Sequence, residues 1–149
     1  MKVDGHCHCG AVRFRAEVDP SKVVACHCTD CQTLSGAAFR TVVPTVEGSF
    51  ELLSGKLNVY VKTGDSGNRR EQSFCPDCGT PIYSAPVGPD PRVMGLRVGA
   101  LTQRDQLVPA IQFWTRSAQR WLPGLALIEA LETQPQFGTR GEIDGSTGD

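Results

Sequence analysis

Seven cysteines fall into three short-spaced groups, Cys7-x-Cys9, Cys26-x-Cys28-x-x-Cys31 and Cys75-x-x-Cys78. Thiolates at such spacings are metal ligands, above all for zinc, which they bind at about 2.3 Å. On an extended strand, residues i and i+2 share a face. Cys7 and Cys9 are therefore expected to reach one ion together, with His8 turned away. Cys75-Pro76-Asp77-Cys78-Gly79 reads as a zinc knuckle: Pro76 presets a tight turn, and Gly79 supplies a positive φ after the second sulfur. These four thiolates complete a closed site, which is structural and leaves no room for substrate. Cys26, Cys28 and Cys31 are one ligand short of closure, and three protein ligands with an open fourth position is the arrangement of a catalytic zinc. The expected cofactor is two zinc ions per chain, one structural and one catalytic.

Other readings of the same residues stay open. One site with spare cysteines is possible, as is a second site closed by Asp30 or by one of His6, His8 and His27. A redox C-x-x-C pair normally precedes a helix, whereas strand-like Ile82-Tyr83 follows here. An iron tetrathiolate uses two C-x-x-C knuckles, and one arm here is C-x-C. If the three-cysteine site is catalytic, a substrate thiol entering it loses its proton and becomes a nucleophile. Three sulfur donors make the metal a weak Lewis acid, so thiol activation is favoured over water activation. Thr29, Asp30 and Ser35 are candidate supporting groups.

The chain of 149 residues suits one domain, with 40% hydrophobic and 21% charged residues. A formal charge of -1, with no basic run longer than Arg69-Arg70, argues against a nucleic-acid partner. No apolar run approaches membrane-spanning length. The opening MKVDGHCHCG lacks the apolar core of a signal peptide. An odd number of cysteines in tight groups is unlike a disulfide framework. A reducing, cytoplasmic location is expected.

Strand signals dominate the elements that must position these sulfurs. Residues 11–18 alternate apolar and polar, and 37–43, 49–53 and 57–61 are rich in aromatic or β-branched residues. Further strands are expected at 71–74, 81–84, 93–98 and 110–114. Helix signals are confined to one turn near 28–34 and a segment at 125–131 that reads as short helix or strand. The expectation is an all-β zinc-binding domain over residues 1–137 and a polar, Gly-rich, flexible tail over 138–149.

The order of the motifs resembles the glutathione-dependent formaldehyde-activating enzyme family. The residues that carry the resemblance are Cys7-His8-Cys9-Gly10, then Cys26-His27-Cys28 and Cys31 with Ser35-Gly36 close behind, then C-P-D-C-G-T-P at 75–81. Gly99-Ala100-Leu101, Pro109, Gln112, Trp114-Thr115-Arg116-Ser117 and Trp121 are similar to the family's closing strands, so the resemblance covers residues 2–123. It implies a β-tent of packed antiparallel sheets and the same division of cysteines between a structural and a catalytic zinc. It also implies a carbon–sulfur lyase of the S-(hydroxymethyl)glutathione synthase type, whose partners are a small thiol (glutathione or another) and formaldehyde or a related aldehyde. After the third cysteine many members carry Arg-Lys, where this chain has Gln32-Thr33. Glutathione's two carboxylates call for basic partners, and Arg40, Arg69, Arg70 and Arg116 are the candidates. The fold is shared with zinc proteins that catalyse nothing, so a zinc-stabilised binding module is the alternative class.

Overall fold

Alternation builds the first hairpin. The computed structural model describes residues 1–64 and 67–134. In it β1 (Lys2–His6) pairs antiparallel with β2 (Arg13–Glu17), each with every second residue buried. Val3, Phe14 and Ala16 turn inward, while Arg13, Arg15 and Glu17 face out, as the two-residue repeat of a half-buried strand requires. Gly5 stands opposite Phe14 in this register, and a Cβ there would overlap the Phe14 ring. A glycine inside a strand here marks the close approach of an aromatic ring.

The remaining strands are β3 (Val24–Cys26), β4 (Arg40–Pro44), β5 (Glu51–Ser54), β6 (Asn58–Thr63), β7 (Arg69–Phe74), β8 (Pro81–Pro86), β9 (Gly95–Arg97) and β10 (Ile111–Phe113). They form a three-stranded sheet, β1-β2-β5, and a seven-stranded sheet in the order β10-β3-β4-β9-β8-β7-β6. Every pairing is antiparallel except β10 with β3, which run parallel. One α-helix, α1 (Thr29–Ser35), follows β3 and stops at Gly36, which takes a left-handed φ of 64°. The two sheets are joined by short bridges, Gly5 with Leu101 and Val18 with Thr45. The core holds Val3, Phe14, Val43, Ile82, Leu96 and Leu101, with Phe50 wedged between the Phe14 and Tyr83 rings at 5.4 and 5.1 Å. Each such side chain contributes about 1.5–3 kcal/mol of burial.

The all-β architecture stands, with adjustments. The strand expected at 93–98 is shorter, because Val98–Ala100 closes into a 3-10 turn. The chain divides into two compact units, Met1–Gln119 and a second beginning at Arg120. In the second, a 3-10 helix, Leu122–Leu127, started by Pro123, overlaps only the start of the segment read as helix or strand at 125–131, and the rest of that segment is irregular. The expected tail at 138–149 lies outside the described residues. Among the described residues, no helix is long and apolar enough to cross a membrane.

Candidate metal centres

Both cysteine groups converge, by different local routes. β1 ends at His6, and residues 7–10 form a turn in which the Gly10 N–H donates to Cys7 O at 3.0 Å and the Cys7 N–H donates to Val12 O at 3.0 Å. Strand alternation was the expected device for pairing Cys7 with Cys9. The turn does it instead, because the chain must reverse at once into β2. Their sulfurs lie 3.4 Å apart. The second arm follows β7, where the Gly79 N–H closes on Cys75 O at 2.9 Å and Gly79 takes a φ of 71°. A strand, β8, follows this C-x-x-C, which speaks against the redox reading. The Cys9 and Cys75 sulfurs are 3.8 Å apart, and those of Cys7, Cys9, Cys75 and Cys78 all lie within 4.8 Å of one another. Sulfurs bound tetrahedrally at about 2.3 Å stand about 3.8 Å apart. The set fits zinc in number, type and spacing.

Thr80, which the sequence did not single out, ties the two arms together. Its hydroxyl accepts the His8 N–H at 3.0 Å and lies within hydrogen-bond distance of Cys78 Sγ, at 3.1 Å. The hydroxyl and backbone of Thr80, with the Cys9 N–H, bring Cys78 down to about 5. Burial works against ionisation of Cys7, yet the Val12 N–H at 3.2 Å and the Cys9 and Cys75 thiols hold it below its ordinary value.

The other group gathers where β3 meets α1. Cys26 is the last residue of β3, and extended backbone continues through Cys28, whose sulfur caps α1 by accepting the Cys31 N–H at 3.3 Å. The Cys26 and Cys28 sulfurs are 3.6 Å apart, and the first helical turn brings Cys31 to within 4.8 Å of both. All three residues are half-buried. Among the described residues, no histidine or carboxylate joins them. Asp30 is paired with Lys62. His27 is buried on the opposite side, with Nε2 2.9 Å from Gln112 Oε1 and its ring against Phe39. His6 and His8 are exposed beside the other centre. Ser35 turns its hydroxyl back onto α1, donating to Cys31 O at 2.6 Å, and so does not serve as the expected supporting group.

Three thiols this close do not all ionise at neutral pH without a cation. The neighbouring Cys31 thiol brings Cys26 down to about 5, and Cys26 in turn pushes Cys31 up. A divalent cation is what allows all three to be thiolates, and the donor set suits zinc.

Gln32 braces this centre. Its side-chain amide donates to His27 O at 2.7 Å and to Ser117 O at 2.8 Å, while its oxygen accepts from Gln119 at 2.9 Å. Of the candidate arginines, Arg40 is buried directly opposite Cys26, whereas Arg69 is exposed and Arg116 lies over the Trp114 ring at 4.8 Å. Arg97 was missed. It stands between core residues Leu96 and Val98, so alternation reads it as solvent-facing, yet it is only 7% exposed. Burial, with Arg40 and Arg70 nearby, lowers Arg97 to about 10. Burial lowers Arg40 too, opposed by the three cysteines.

Comparison with known proteins fits this geometry. A protein named an uncharacterized lyase of Schizosaccharomyces pombe is 29% identical over 82 residues, 55% of this chain. That stretch spans 56% of the relative's own length. A crystal structure of a Rhodobacter sphaeroides protein superposes with a TM-score of 0.55 at 20% identity, covering 73% of this chain and 98% of that one, and supports the fold. The sequence profile of the glutathione-dependent formaldehyde-activating enzyme family matches residues 2–117, a span that contains all seven cysteines gathered into the two centres. The chain belongs to that family.

Proposed function

We propose that the protein is a zinc-dependent carbon–sulfur lyase that joins a small thiol to formaldehyde or a related aldehyde, and cleaves the adduct in reverse. In this reading Cys7, Cys9, Cys75 and Cys78 hold a structural zinc, and Cys26, Cys28 and Cys31 hold a catalytic one. One observation carries it: three half-buried sulfurs converge at the β3–α1 junction with no fourth side chain among the described residues. Family membership and the lyase named in Schizosaccharomyces pombe support the reaction class.

Zinc held by Cys26, Cys28 and Cys31 would favour the thiolate form of a substrate sulfur. The chain's own residues supply the rest. Cys28 and Cys31 are locked in register by the α1 cap, and Gln32 fixes the helix against residues 27 and 117. Buried Arg40, opposite Cys26, offsets the negative charge gathered on the sulfurs. In the addition the S–H proton ends on the carbonyl oxygen as the S–C bond forms, and positioning of the two reactants provides much of the rate. Such thiolate centres suit a reducing compartment, and we place the protein in the cytoplasm on that ground.

The test is a metal count followed by a thiol–aldehyde assay. Two zincs per chain are expected, one removable by mild chelation with the far-UV circular dichroism unchanged and with loss of turnover. A single zinc, or a two-zinc protein inert toward formaldehyde with every small thiol tried, would leave the binding-module class in its place.

A further inference from the structure

Next to the three-cysteine group lies a cleft of about 240 Å³. Its walls include Leu34 of α1, Arg40 of β4, Tyr60 of β6, Gln72 of β7 and Arg97 of β9. The sheet register explains why they meet. Cys26 pairs with Arg40, Val42 pairs with Arg97, and Gln72 pairs with Tyr60. Alternation then puts the side chains of Cys26, Arg40 and Arg97 on one face, with Arg40 and Arg97 as diagonal neighbours across β4 and β9.

Both arginines are more than nine-tenths buried. Arg97 spends one N–H on Gln72 Oε1 at 2.7 Å. Arg97 Nε and Arg40 Nη2 are buried without a hydrogen-bond partner, and both residues line this cleft. Buried donors are normally satisfied, so two on one face mark a missing acceptor. No carboxylate among the described residues pairs with either arginine. The three-cysteine centre does not account for both positive charges either. Zinc on three thiolates carries a formal charge of -1, which offsets one guanidinium and leaves the other. An acceptor with negative charge and two oxygens matches a pair of guanidinium forks. The volume is below the 300–1,000 Å³ typical of sites for drug-sized ligands, so the acceptor belongs to a molecule of few heavy atoms.

We propose that Arg40 and Arg97 bind the carboxylate of a small substrate in this cleft, so that the preferred reactant at Cys26, Cys28 and Cys31 is a short thiol acid or a short aldehyde acid. The site itself stands on the buried donors, and its consequence for substrate choice rests on the proposed lyase function. The addition is unchanged in its balance: the S–C bond forms, the carbonyl π pair goes to oxygen, and the thiol proton follows it. The carboxylate takes no part in bond making.

The zinc-loaded, 15N-labelled full chain is titrated with acetate, with acetamide and sodium chloride as controls, and the Arg97 Nε–H resonance is followed. Acetate is expected to shift this resonance saturably, with neither control doing so. Arg97→Gln is expected to weaken acetate binding at least tenfold while zinc content and circular dichroism stay at wild-type values. The wild-type titration decides the matter even if that variant fails to fold. Turnover then distinguishes the two sources of carboxylate. Mercaptoacetate is compared with 2-mercaptoethanol against formaldehyde, and glyoxylate with acetaldehyde against 2-mercaptoethanol. One of the acids is expected to exceed its uncharged counterpart at least tenfold in kcat/KM, and Arg97→Gln to remove that advantage. No saturable acetate shift, or an equal shift with chloride showing an adventitious ion only, overturns the site even where turnover is seen. Acetate binding with no turnover for any pair keeps the anion site and overturns the lyase reading.

Discussion

Replacing Gln32 with alanine tests whether the β3–α1 junction is a built centre or three cysteines that happen to be adjacent. The Gln32 amide holds two carbonyl oxygens, His27 O at 2.7 Å and Ser117 O at 2.8 Å, from two separate stretches of chain. Each neutral hydrogen bond contributes about 0.5–1.5 kcal/mol net, and water partly replaces them at this half-buried position, so Gln32→Ala should cost about 1–2 kcal/mol. The loss falls on the segment that sets Cys28 and Cys31, because Cys28 caps α1 and Gln32 lies one turn further along it. Ordering that segment is coupled to metal binding, so zinc at the three-cysteine centre should bind about 5–30-fold more weakly. The assay is stepwise competition with a chelator of known affinity, which resolves two release phases. The weaker phase should move by that factor and the tighter phase by less than twofold. Gln32→Glu should be worse than Gln32→Ala, since it sets a carboxylate against two carbonyl oxygens beside three thiolates. Equal shifts of both phases, or a change below twofold in the weaker one, would refute the idea that this brace serves one centre.

Thr80→Val should do the reverse, weakening zinc at the four-cysteine centre about 10–100-fold, as loss of an outer-shell hydrogen bond to a ligand commonly does, and leaving the three-cysteine phase in place in the same competition. In protein stripped of metal, Cys26 should be alkylated well before Cys31 at pH 6–8. A thiol brought from its ordinary 9.0 to about 5 is thiolate throughout that range and loses reactivity only as pH falls through 5, whereas the raised Cys31 keeps its proton; peptide mass spectrometry after timed iodoacetamide reads the order, and simultaneous labelling would contradict it. Gly5→Ala should destabilise the zinc-loaded protein by about 1–3 kcal/mol through overpacking against Phe14, seen as a lower urea midpoint. Reducing the ring in Gly5→Ala/Phe14→Leu should recover part of the loss.

Cysteine type and spacing picked out the two groups that converge, the ordered motifs pointed to the family, and strand alternation with turn signals gave the all-β class, because these depend on short-range relations. A knuckle needs only Cys75, Cys78 and a glycine free to take a left-handed φ, and alternation along residues 13–17 already says which side chains turn inward. The device that pairs Cys7 with Cys9 was misread for a local reason as well: a turn and a strand end can both bring i and i+2 sulfurs together, and only the hydrogen bonds from Cys7 to Val12 and from Gly10 to Cys7 distinguish them.

What the tertiary structure decided is everything that depends on register between distant strands. Thr80 reaches His8 across 72 positions, and Gln32 reaches Ser117 across 85. Arg97 reads as a surface residue until β4 and β9 align it diagonally with Arg40, on the face that Cys26 shares. A pattern of single residues records which face of its own strand a side chain occupies. It does not record what the neighbouring strand places on that face, and here that pairing buries two positive charges beside three sulfurs.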